Sequence, residues 1–71
     1  MTFQLLMQIL AALAGLANTP FAQKVITCIE TQSGLSAILT CITAATNQET
    51  PGTPSHAAGT SIISAINSAK P

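Results

Sequence analysis

PFAQKVITCIETQSGLSAILTCITAAT, residues 20–46, decides the fold. Phe21, Val25, Cys28 and Ile29 recur at helical spacing, with Gln23, Lys24, Thr27, Glu30 and Thr31 on the opposite side. Thr19 can cap such a helix. Pro20 at its first position loses only an N–H that had no partner there. Ser33-Gly34 ends it, the glycine being free to take a left-handed conformation. A second amphipathic helix follows over 35–46, with Leu35, Ile38, Leu39, Ile42 and Ala45 apolar and Ser36, Thr40, Thr43 and Asn47 polar. The stretch therefore predicts a helical hairpin over 20–32 and 35–46.

Cys28 and Cys41 lie symmetrically about the turn, so an antiparallel helix pair holds them at nearly the same height. On one continuous helix they would be about 20 Å apart, too far to pair. A bridge would close a loop worth about 3 kcal/mol in the chain-entropy model. The alternative is two buried thiols acting as small apolar residues. With no Cys-x-x-Cys, a redox motif is not indicated.

Upstream, residues 3–17 read FQLLMQILAALAGLA and are apolar nearly all round, which marks a helix buried on most sides. Gln4 and Gln8 continue into Ala11, Ala12 and Gly15 along one stripe; Leu6, Ile9, Leu10, Leu13 and Leu16 make the bulky face. Ala11 and Gly15, four apart, would admit a second helix backbone. Three roles compete for this segment. A secretory leader fits its length but not its lack of Lys or Arg. A membrane span needs about twenty residues. A retained core helix needs nothing further.

Downstream, residues 47–59 read NQETPGTPSHAAG, a polar connector in which Pro51-Gly52 suits a tight turn and both Thr-Pro pairs favour extended backbone. Such a Thr-Pro loop can accept O-linked sugar in an exported protein, but a plain solvated connector is the preferred reading. His56 sits here with no second ligand nearby. A short helix is expected over 60–69, capped by Thr60 or Ser61, with Ile62, Ile63 and Ile66 on one side. Lys70 favours its dipole and Pro71 stops it. The expected whole is a single small all-α domain: a hairpin, a hydrophobic N-terminal helix and a short C-terminal one.

Composition bounds the function. Of 71 residues 48% are hydrophobic and 6% charged, against about a quarter charged in an ordinary domain. Lys24, Glu30, Glu49 and Lys70 are the charged side chains, for a net charge of zero. Near-zero net charge promotes association. It also removes long-range attraction to nucleic acid, so no nucleic-acid partner is expected for the monomer. Two cysteines and one histidine are too few for a structural zinc site. His56 is the sole imidazole base, without an Asp to orient it. No phosphate-cradling glycine loop or dinucleotide fingerprint occurs. Neither an enzyme nor a cofactor is expected, bound lipid aside.

In size, hydrophobicity and hairpin pattern, residues 3–46 resemble conjugative-pilus pilins. Small helical capsid proteins of filamentous viruses are similar at this level. The resemblance implies a short subunit that rests in a membrane before assembly and packs, with lipid, into a hollow extracellular tube. The expected function is thus a structural subunit of an extracellular or cell-surface filament, a homopolymer in contact with lipid or membrane. Its helix-packing and assembly candidates are Leu6, Ile9, Ala11, Leu13, Gly15, Phe21, Val25, Ile38, Ile42, Ile62 and Ile66. In a polymer, one Lys24 per subunit becomes a regular array able to line a lumen. Competing expectations are a secreted, disulfide-clasped binding or effector module with a cleaved leader, and a small subunit of a membrane complex.

Overall fold

The computed structural model describes residues 2–69, and four helices make up its architecture: α1 (Phe3–Ala12), α2 (Pro20–Thr31), α3 (Leu35–Asn47) and α4 (Pro54–Ala69). The fold is all-α, with no strand among the described residues. The Lys70–Pro71 helix stop lies outside the described residues.

The hairpin forms as its residues demand. Thr19 Oγ1 accepts from the Ala22 amide at 3.2 Å and donates to the Leu16 carbonyl at 2.7 Å, fastening the start of α2 to the preceding turn. Gly34, at φ +87°, stands at the head of α3, where a side chain would be strained. Gln32, with extended backbone, closes α2.

Packing runs α2 on α3, α3 on α4 and α4 on α1. Each helix contributes a row at helical spacing to one core: Leu5, Ile9 and Leu13; Phe21, Val25 and Cys28; Ile38, Ile42 and Ala45; Ala58, Ile62 and Ile66. The radius of gyration, 10.8 Å, matches the roughly 11 Å of a fully packed domain this long. One chain therefore closes its own core. α1 and α4 complete the core that the hairpin begins.

Three expectations need correction. The N-terminal helix was expected over 3–17, but α1 ends at Ala12. The Leu13 amide is shared between the Ile9 and Leu10 carbonyls, the Ala14 amide bonds three residues back to Ala11, and turns closed by Leu16 N→Leu13 O and Thr19 N→Leu16 O carry the chain to Thr19. Gly15 is a poor helix former within this stretch, and Leu13 has to stay in the core while the chain reverses towards α2.

The inward face of α1 also differs. Leu5, Ile9 and Leu13 are buried, whereas Leu6 is half-buried and Leu10 exposed. A segment apolar on every side offers periodicity no contrast with which to choose a face. Ala11 and Gly15 are exposed, and nothing within 4 Å would meet a Cβ at Gly15, so no helix of this chain uses that small-residue stripe.

The third correction concerns α4, which starts at Pro54 rather than at Thr60 or Ser61, so the connector shrinks to residues 48–53. Thr53 is the cap: its Oγ1 accepts from the His56 amide at 3.3 Å and donates to the Thr50 carbonyl at 2.7 Å. Thr53-Pro54 thus repeats the Thr19-Pro20 device. Thr60 lies inside the helix, its hydroxyl donating to the His56 carbonyl at 3.0 Å. The turn before it, closed by Thr53 N→Thr50 O at 3.2 Å with Pro51 second and Gly52 third at φ +92°, has type II character. Thr53→Ala removes the cap and should cost about 1 kcal/mol. Urea denaturation followed by circular dichroism measures this, and an unchanged midpoint would refute the cap.

Candidate functional site

The structure places the sequence candidates in two groups. Ile9, Leu13, Phe21, Val25, Ile38, Ile42, Ile62 and Ile66 all lie in the core of the single chain, each at most 4% exposed. They hold helices together within the molecule and are covered there, so an assembly surface in this conformation has to use other side chains. The candidates left at or near the surface are Leu6, Ala11, Gly15 and Lys24.

The most exposed large apolar groups were not singled out. Phe3 (77% exposed), Met7 (50%) and Leu10 (45%) follow one another at i, i+4 and i+7 along the outer side of α1. Ile26 on α2 is 41% exposed and stands apart in sequence. Ala11 and Ala14 extend the α1 row with small exposed side chains. A signal was available: once Leu5, Ile9 and Leu13 are taken inward, the remaining bulky residues of an all-round apolar helix face out.

The second surface feature is built by the hairpin. Cys28 and Cys41 form a disulfide, their Cα atoms 5.8 Å apart across the α2–α3 pair. Such a bond persists in a non-reducing environment. Beside it, between the two helices, runs an open groove of about 530 Å³. Its lining comprises the buried Cys28 and Ala45, the half-buried Cys41, the exposed Pro20, Thr27 and Ala44, and three exposed polar side chains, Gln23, Lys24 and Gln48. Lys24 Nζ donates to Gln48 Oε1 at 2.8 Å, tying the helices together at the groove's edge. Among the described residues the other charged side chains, Glu30 and Glu49, are not part of the lining.

His56 is half-buried in the first turn of α4. Among the described residues, no three His, Cys, Asp or Glu side chains come together as a metal site would require. Also among the described residues, no helix is long and apolar enough to cross a membrane. At ten residues α1 spans about 15 Å, half the hydrocarbon thickness of a bilayer.

No protein-family model, curated protein or solved structure matches this chain.

Proposed function

We propose that this protein is a non-catalytic structural subunit that associates with copies of itself, in an extracellular or cell-surface setting, through the outer face of α1. The observation that carries the reading is the Phe3–Met7–Leu10 row, exposed on a molecule whose whole sequence holds four charged side chains. Covering a large apolar side chain completely is worth about 1.5–3 kcal/mol. Three per copy, flanked by Ala11 and Ala14, favour a contact in which α1 lies against a neighbouring subunit. Regular repetition of that contact generates a filament when the rotation between copies does not close. The disulfide supports an oxidising location, and the pilin-like hairpin pattern agrees with a polymer of short helical subunits.

The self-contained core gives the mode of assembly a definite form. Subunits would dock as finished bundles, rather than complete one another's interiors as an open hairpin would. The test is analytical ultracentrifugation and negative-stain microscopy of the oxidised chain, alongside Met7→Glu/Leu10→Lys. The parent should form concentration-dependent oligomers or filaments, while the variant should sediment as a monomer with unchanged helicity. A parent that stays monomeric at millimolar concentration would refute the reading.

The closed core and the α2–α3 groove favour a second reading, a secreted disulfide-clasped binding module that works as a monomer.

A further inference from the structure

We propose that the groove between α2 and α3 binds a single-chain anionic amphiphile, a long-chain carboxylate, with Lys24 holding the headgroup. This goes beyond self-association and shares no residue with the Phe3–Met7–Leu10 row.

The groove has a direction. Pro20, Lys24 and Gln48 stand towards one end, and the Cys28–Cys41 bridge towards the other. From Pro20 to Cys28 the track measures about 12 Å at the helical rise. Apart from Gln23, Lys24 and Gln48 its lining is sulfur, alanine, proline and threonine, short groups that would not block an extended hydrocarbon. Its volume, about 530 Å³, falls within the range of small-molecule sites. An open, largely apolar track whose one cation is held towards one end, at Gln48, matches the polarity of an amphiphile with one tail.

Charge selects the head. Lys24 is the cation at this rim, and the acceptor it holds, Gln48 Oε1 at 2.8 Å, is neutral. A carboxylate arriving there would exchange a neutral acceptor for an ionised one, adding the attraction of an ion pair to a bond that the ammonium already charge-assists. Gln48 would be released to donate from its own amide nitrogen to the second carboxylate oxygen. A cationic head would meet the ammonium unfavourably, and an uncharged head would gain no ion pair over the Gln48 acceptor it displaces.

The test titrates sodium laurate, kept below its micelle-forming concentration, into the oxidised, isotope-labelled chain, followed by calorimetry and by amide shifts. Methyl laurate and acetate serve as comparisons. Saturable one-to-one binding is expected, with shifts centred on Lys24, Thr27, Ala44 and Gln48. Methyl laurate and the Lys24→Gln variant should each bind about tenfold more weakly, and acetate should not saturate. Ala44→Phe, at an exposed position, fills the groove and should abolish binding while its circular dichroism stays that of the parent. Absence of saturation, shifts centred on Phe3, Met7 and Leu10, or equal affinity for acid and ester would each overturn the proposal. Because the α1 row is untouched, Ala44→Phe should leave self-association intact, so the two proposals fail separately.

Discussion

Gly59→Val is expected to lower the stability of the bundle by about 3 kcal/mol, at the upper end of what overpacking usually costs. Gly59 is buried in α4 where α4 crosses α3. A Cβ built there would collide with Thr46 Oγ1 and would lie 2.7 Å from its Cγ2 and 2.9 Å from its Cβ. Thr46 cannot readily swing aside: it is 3% exposed, β-branched, and its hydroxyl donates to the Ile42 carbonyl at 2.8 Å. The helices themselves must move apart. In a domain of this size the loss corresponds to a fall in Tm of roughly 15 °C.

Gly59→Ala separates this packing argument from helix propensity. At an open helical position the change would stabilise by up to about 1 kcal/mol; here it should destabilise. Combining it with Thr46→Ala, which deletes the two atoms nearest the intruding methyl, should recover most of the loss. A double-mutant cycle by thermal denaturation reads that coupling. A Gly59→Ala protein more stable than its parent would show that α3 and α4 do not meet as closely as described.

Removal of the disulfide, by reduction or as Cys28→Ala/Cys41→Ala, should cost about 3 kcal/mol, the chain-entropy value for a loop of this length. Domains this small seldom draw more than about 3–5 kcal/mol from their core, so much of the net stability would go. The damage should be local before it is global. The main packing partner of α2 is α3, whereas α3 also packs on α4, and α4 on α1. Native-state hydrogen exchange should therefore accelerate first at Val25, Cys28 and their neighbours in α2, with α4 amides protected longest. Equal Tm values for oxidised and fully reduced protein would contradict this account.

What could be read in advance followed from how local each cause was. The α2–α3 hairpin was legible because Thr19-Pro20, Ser33-Gly34 and the paired cysteines are signals within one supersecondary unit. The start of α4 carried the same Thr-Pro signal at Thr53-Pro54. It was outweighed by the polar, Pro- and Gly-containing composition of 47–59, which reads as one connector ending at Gly59. The physical reason for that glycine is tertiary: Thr46 presses against it from α3, thirteen positions away. The orientation of α1 could not be chosen from a segment apolar on every side, so Leu5 is absent from the candidates and Leu10 shares one bulky face with the buried Ile9 and Leu13. The groove was invisible for a similar reason. Lys24 stood out as a rare cation, but Ala44 and Gln48 acquire a role only when α3 is laid beside α2.

One arrangement bears on how the molecule would carry force. Thr2, Gln4, Leu5 and Gln8 share a crevice with Ala65, Ser68 and Ala69, so the start of α1 lies beside the end of α4. Tension applied across residues 2 and 69 would peel that seam open turn by turn rather than shear it along its length. Within the other half, the load would cross from Cys28 to Cys41 through sulfur. Residues 29–40 would add nothing to the extended length for as long as the bridge stayed oxidised, leaving a tether that gives way readily at first and then stops short.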